Sequence, residues 1–119
     1  MTYKIAVGTV DGVTVTEHFG RARAFFIYET DRETDETRLV EKRVFDADGE
    51  LAEGGEAAHS HAAARLEAVS DCQLVLVAKI GYRSEKQLTL RGIVPLQNEG
   101  PLEPALARVR AIYKRRRLD

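Results

Sequence analysis

Hydrophobic residues alternate with polar ones early in this chain and recur with helical spacing later. Ile5 and Val7 alternate with smaller or polar neighbours across Tyr3–Thr9, the period of a strand. Asp11-Gly12 is a turn signal, after which Val13 and Val15 suit a short extended arm. Ala24–Thr30, rich in aromatic and β-branched residues, predicts a second strand. The polar stretch Asp31–Glu36 predicts a hairpin connection into a third strand over Thr37–Phe45, with Leu39 on one face. Strands joined so briefly are expected to run antiparallel.

Asp46–Gly55 contains three glycines and four acids and is expected to be a loop, the least ordered internal segment. Beyond it, Ala58, Ala62, Leu66 and Val69 recur every three or four residues, as on one face of a helix. Leu74–Ala78 is a continuous apolar run, expected as the central strand and covered on both faces. Ser84-Glu85-Lys86-Gln87 has the form of a capping box, and Gly92 suits the stop of the short helix after it. Ile93–Leu96 predicts a last brief strand. Pro101 and Pro104 fall where a first helical turn tolerates proline, and Leu102, Ala105, Leu106, Val109 and Ile112 form the stripe of a final helix.

The resulting order, β-β-β-α-β-α-β-α, predicts an α/β fold. Its mixed sheet should have about five strands, the second antiparallel to its neighbours, with right-handed crossovers placing helices on the faces. No repeat, low-complexity tract or linker divides the chain, so residues 1–119 are read as one domain.

Composition narrows the function classes. At 44% hydrophobic and 31% charged residues, the 119-residue chain has the proportions of a soluble globular domain. Eighteen basic residues against nineteen acidic ones leave a net charge of −1, so no global field favours nucleic acid or an anionic membrane. The run Lys114–Arg117 reads as a solvated helix end that suits the helix dipole. One cysteine, Cys72, rules out an intramolecular disulfide and any CxxC motif. Leu74–Ala78 is too short to span a bilayer, and the N-terminus lacks signal-peptide character, so a cytoplasmic protein is expected.

Ligands of open α/β sheets bind beyond the carboxyl ends of the parallel strands. Two loops fall there: Thr9–Arg23, containing "EHFGRA", and Gly81-Tyr82-Arg83. A neutral imidazole at His18 would suit iron and similar metals, and Arg21 and Arg23 would favour an anionic group beside it. Gly20 permits a tight turn or a close backbone approach. The same spacing fits a purely structural arrangement, in which His18 caps a turn and Phe19 plugs the end of the core. His59 and His61, two apart, would point about 200° from each other in a helix and could not share an ion there. Cys72, just before the apolar run, fits a buried small hydrophobe as well as a thiol ligand. Catalytic signatures are missing: the first strand has no acid, and Gly8–Gly12 lacks the glycine pattern of a phosphate- or dinucleotide-binding loop.

Taken in order, "KIAVGTVDGVTVTEHFGRARAFFIYE", "DCQLVLVAKIG" and "LRGIVPL" resemble the dinitrogenase iron–molybdenum cofactor biosynthesis family, from about residue 3 to about residue 110. That family includes small nitrogenase-cofactor carriers, and a related domain ends the radical-SAM enzyme of cofactor assembly. The resemblance implies a ribonuclease H-like three-layer fold. It also implies that His18, the histidine of the "HFG" element, holds a metal cluster together with Phe19, Gly20 and Gly81. Arg21 and Arg23 would then offset the cluster's negative charge, and Cys72 matches the family's "DC" cysteine. One cysteine cannot enclose a cubane with four thiolates, whereas one or two protein ligands suit transient carriage of a preassembled cluster. The implied function is non-enzymatic carriage of an iron–sulfur or iron–molybdenum cofactor precursor. The implied partners are cofactor-assembly proteins, with no nucleic acid or membrane, and the carrier acts as a monomer or weak homodimer. The alternative is an interaction or regulatory module on the same fold, with His18 structural.

Overall fold

A computed structural model of the chain describes residues 1–45 and 57–117, without the side chains of 57–61 and 117. The elements in chain order are β1 (Thr2–Gly8), β2 (Thr14–Val15), a 3₁₀ turn (Phe19–Arg21), β3 (Ala24–Asp31), β4 (Thr37–Val44), α1 (Ala57–Ala68), β5 (Leu74–Val77), α2 (Tyr82–Leu90), β6 (Val94–Gln97), β7 (Gly100–Pro101) and α3 (Leu102–Arg117). The sheet has five strands in the order β4-β3-β1-β5-β6. β3 is antiparallel to β1 and β4, while β1, β5 and β6 run parallel. The mixed α/β fold and the antiparallel second strand are therefore as expected. The predicted arm pairs with β7 as a separate two-stranded ribbon, Thr14 opposite Pro101 and Val15 opposite Gly100.

The period-two pattern separates two cores. Tyr3, Ile5, Val7, Phe26, Tyr28, Leu74 and Leu76 pack under Leu102, Ala105, Leu106 and Val109 of α3. Ala6, Phe25, Ile27, Val75 and Val77 form the other core with Val69 and with Leu88 and Ile93 of the α2 region. Each fully buried aliphatic side chain contributes about 1.5–3 kcal/mol of transfer free energy, so the sheet and its helices fold together. Leu74–Val77 lies inside the sheet, at most 1% exposed, yet β1 rather than β5 is its centre. An apolar run reports cover on both faces, and any interior strand has that.

Two boundaries differ from the sequence expectation. α2 begins at Tyr82 with Gly81 as N-cap and no side-chain cap, so Ser84 is already inside the helix and the capping box does not form. Pro101 belongs to β7, one residue ahead of α3, whereas Pro104 does lie in the first turn. Gly92 ends α2 as expected: at φ 78° it lets its own amide reach Thr89 O (3.0 Å) and the Ile93 amide reach Leu88 O (2.9 Å). The two buried side chains Leu88 and Ile93 close this Schellman stop. Asp46–Gly55 lies outside the described residues. Among the described residues, no helix is long and apolar enough to cross a membrane.

Arg43 of the edge strand β4 crosses the sheet to secure the turn before β5. Its Nη1 donates to Ala68 O at 2.6 Å and to Asp71 Oδ1 at 2.7 Å, and its Nη2 to Asp71 Oδ2 at 3.0 Å and Glu41 Oε1 at 2.8 Å. These hydrogen bonds hold the Asp71 carboxyl well below its ordinary pKa. Arg43→Ala should therefore lower the unfolding free energy by about 1–2 kcal/mol in denaturant titration, because it takes the side-chain donor from a helix-end carbonyl and leaves the half-exposed Asp71 with Lys4 alone. Arg43→Lys should restore less than half of that loss, since an ammonium cannot reproduce the two-pronged contact.

Candidate functional site

At the carboxyl rim of the sheet, β1 stops at Gly8 and a later segment takes its place. The Thr16 and Glu17 amides both donate to Gly8 O at 3.2 Å. Ala78 N then donates to Glu17 O at 2.9 Å and Phe19 N to Lys79 O at 2.8 Å, with His18 paired in parallel to Lys79. Residues 17–19 thus flank the end of β5 as β1 flanks its beginning. Extended backbone alternates its side chains, so Glu17 and Phe19 turn inward and His18 turns out.

Each of the three has a distinct environment. Phe19 is fully buried against Phe25, ring centroids 5.6 Å apart, so its side chain belongs to the core and only its neighbourhood to the rim. Glu17 is 4% exposed and fully partnered. Its oxygens accept from Arg23 Nε (3.0 Å), Arg23 Nη2 (2.8 Å), the Arg23 amide (2.9 Å) and Thr16 Oγ1 (2.8 Å). The Arg23 guanidinium hydrogen bonds outweigh burial and hold the Glu17 carboxyl down at about 2. His18 is exposed and occupies the N-cap of the 3₁₀ turn without any side-chain capping bond. The structural arrangement considered from sequence is therefore half present: Phe19 fills the core, but the imidazole does not cap the turn.

Beside His18 lies a shallow depression of about 370 Å³, lined by His18–Gly20, Lys79–Gly81 and Gln97. A β-carbon on Gly20 or Gly81 would meet no atom within 4 Å, and neither residue has a positive φ. The protein's own packing does not require glycine at either position, and the space a side chain would take is open. α2 starts immediately after Gly81, so its first-turn N–H groups and the positive end of its dipole sit at this rim. Lys79 and Arg21 are exposed, and neither joins an ion pair among the described residues. The depression thus favours an anion.

The structure does not gather all the residues singled out from sequence. His18, Gly20 and Gly81 come together, with Arg21 in the adjoining turn. Arg23 is committed to Glu17 and is a clamp on the loop rather than a spare charge. Cys72 lies before the amino end of β5, roughly 20 Å along an extended chain from Lys79, so it is not at this rim. It is 3% exposed, and burial, reinforced by the charge of Asp71, pushes its thiol up to about 12, which keeps it protonated at neutral pH. His59 and His61 fall in α1, and their side chains are outside the described residues. Among the described residues, no three His, Cys, Asp or Glu side chains converge as a metal site. A second depression, about 480 Å³, is lined by Thr2, Glu29, Asp31, Glu36, Thr37 and Arg38. Its three carboxylates make it unsuited to an anion. Sequence reasoning overlooked Glu17, Lys79 and Gln97. The alternation Glu17-His18-Phe19 held a signal for the first, since an exposed histidine in extended chain turns both neighbours inward.

The fold and rim together define a small α/β domain with an open sheet edge and, among the described side chains, one exposed histidine. The chain belongs to the dinitrogenase iron-molybdenum cofactor family, whose model matches residues 1–112. The FeMo cofactor biosynthesis protein NifB of Chlorobaculum tepidum is 34% identical over 102 residues, which make up 86% of this chain and 22% of that protein. NifB of Azotobacter vinelandii is 30% identical over 113 residues, 92% of this chain and 21% of that protein. The chain thus spans about a fifth of the length of these relatives. The apo form of the orange protein from Desulfovibrio gigas shares the fold, with a TM-score of 0.57 at 20% identity over 94% of this chain and 89% of that one.

The depressed carboxyl of Glu17 sets a pH dependence. Its folded-state value near 2 lies below the ordinary 4.5, so its contribution is present above about pH 4.5 and is lost as pH falls toward 2. With allowance for the exposed Arg23 partner, the loss is about 2 kcal/mol. Denaturant titrations at pH 7 and pH 2.5 should show Glu17→Gln clearly less stable than wild type at pH 7, with the gap narrowing at pH 2.5.

Proposed function

We propose that this domain carries an anionic metal–sulfur cofactor precursor, iron–sulfur or iron–molybdenum, during FeMo-cofactor assembly and performs no chemistry of its own. The observation that carries this reading is the exposed His18 imidazole, uncommitted to the turn it heads, beside open space at Gly20 and Gly81. An imidazole nitrogen ligates iron readily, and the α2 amino end with Lys79 and Arg21 offsets the charge of bridging sulfides. The membership of the chain in a cofactor family, and the biosynthetic role borne by the names of its NifB relatives, support the choice of ligand class. One strong protein ligand is enough to hold a preassembled cluster and too little to trap it, which suits hand-over to cofactor-assembly proteins. The strand order β4-β3-β1-β5-β6, with β3 antiparallel, supports reading the fold as ribonuclease H-like.

His18→Ala tests this directly. An exposed side chain without hydrogen bonds adds little to packing, so stability should change by less than about 0.5 kcal/mol. After anaerobic loading, cluster iron retained on gel filtration should fall sharply. A variant that unfolds readily while its folded fraction retains cluster normally would instead make His18 structural. Gly20→Ala should leave stability unchanged or raise it by about 0.4–1 kcal/mol, as glycine replacement does at a compatible position, and yet lower retention.

A further inference from the structure

Gln97 ends β6 and contributes to the wall of the same depression. Its Oε1 accepts the Ile80 amide at 2.8 Å, within the Lys79–Gly81 wall. That contact decides which way the carboxamide faces. A backbone N–H can only donate, so the oxygen must take this bond, and the NH₂ group is then the end left for other partners. Gln97 is itself held in register, because the Asn98 amide next to it donates to Val77 O at 2.9 Å. Gln97 therefore brings a pair of N–H donors to the lining of the depression, in addition to the exposed ammonium of Lys79 and the amino end of α2. Among the described residues, no carboxylate lines the depression, and His18 is its one side chain of a usual metal-ligand type.

We infer that Gln97 determines what the rim will take: its Nε2 group donates hydrogen bonds to acceptor atoms of the ligand, so that metal binds as part of an anion rich in acceptors, such as a sulfide-bridged cluster, and not as a free divalent cation. This rests on the carriage reading above. A bare cation would find one imidazole among N–H donors and positive charge, whereas bridging sulfides would find those donors as partners. Gln97 is a ligand-contacting residue in this account and also positions the loop that carries Gly81. The two roles separate cleanly in Gln97→Glu. A carboxylate oxygen still accepts the Ile80 amide and keeps the loop in place, while both donors are lost and a negative charge faces the ligand.

The test is anaerobic titration of the intact protein with a water-soluble, thiolate-ligated [4Fe–4S] dianion and, separately, with Fe²⁺ alone, followed by absorbance and by iron retained on gel filtration. Wild type should bind the cluster at least tenfold more tightly than Fe²⁺. Gln97→Glu should weaken cluster binding tenfold or more with its melting temperature unchanged. Equal cluster affinity in wild type and Gln97→Glu would overturn the role of Gln97 and leave His18 carriage standing. Wild type that takes no cluster would overturn the carriage reading and this inference with it. Fe²⁺ bound as tightly as the cluster would overturn the claimed selectivity alone. Should Gln97→Glu melt several degrees lower, the wild-type side-chain amide decides the matter. Its two N–H resonances, assigned by their disappearance in Gln97→Met, should shift or broaden on cluster addition, and unchanged resonances would overturn the inference.

Discussion

A β-carbon at position 8 would stand 3.0 Å from both Glu17 Cβ and Val77 Cγ1, and the rim depends on there being none. Because Gly8 ends β1 without a side chain, residues 16 and 17 come down onto its carbonyl and continue alongside β5. That replacement of one strand by another segment turns a loop residue into a strand-like one. His18 acquires a fixed outward direction from backbone pairing on both sides of it, at Ala78 and at Lys79. A side chain on a free loop would have to be ordered by its ligand, at a cost in conformational entropy that this backbone has already met in folding.

The charges around the rim follow from the same approach. Turning Glu17 inward buries a carboxylate, which is tolerable only with near-complete hydrogen bonding. Arg23 supplies most of that, from side chain and backbone alike. The pair is neutral as a unit and locks the 3₁₀ turn between its members. What remains toward solvent is positive: Arg21, Lys79 and the amino end of α2. The buried Arg65 adds a second anchor from α1, donating to Ala22 O at 3.2 and 2.6 Å and lying 4.0 Å from the Phe45 ring. The outer side of the rim is exposed, while Phe19 and Ala22 on its inner side are fully buried.

In the proposed carriage role, sparse ligation and rigidity have complementary effects. With a single imidazole, affinity has to come from a site that needs no rearrangement, and release stays fast because few bonds must break. Cys72 would change that balance had it been at the rim. It is instead a small apolar residue in the core beneath α1 and α2, with its thiol protonated.

Much of the fold was legible in the chain. Period-two and helical spacing are local properties that report burial, so the strands, the three helices and the Gly92 stop could be read directly, and "EHFGRA" marked the loop that lies at the carboxyl rim. The start of α2 was misread because a glycine N-cap leaves no side-chain signature, and Ser84 offered a more familiar one. Which interior strand is the middle one was decided by pairing order, to which an apolar run is blind. The partners of the site were beyond sequence for a similar reason. Glu17 meets Arg23 across the 3₁₀ turn, whereas His18 meets Lys79, and Ile80 meets Gln97, 17 residues away, only because β1, β5 and β6 run parallel and end at one edge. Sequence by itself determined which residues are extended, helical or apolar, and flagged the candidate histidine, since these depend on neighbours along the chain. Tertiary structure alone decided that Arg23 is a clamp, Cys72 a core residue and Gln97 a wall of the depression, because each of those roles is set by distance in space.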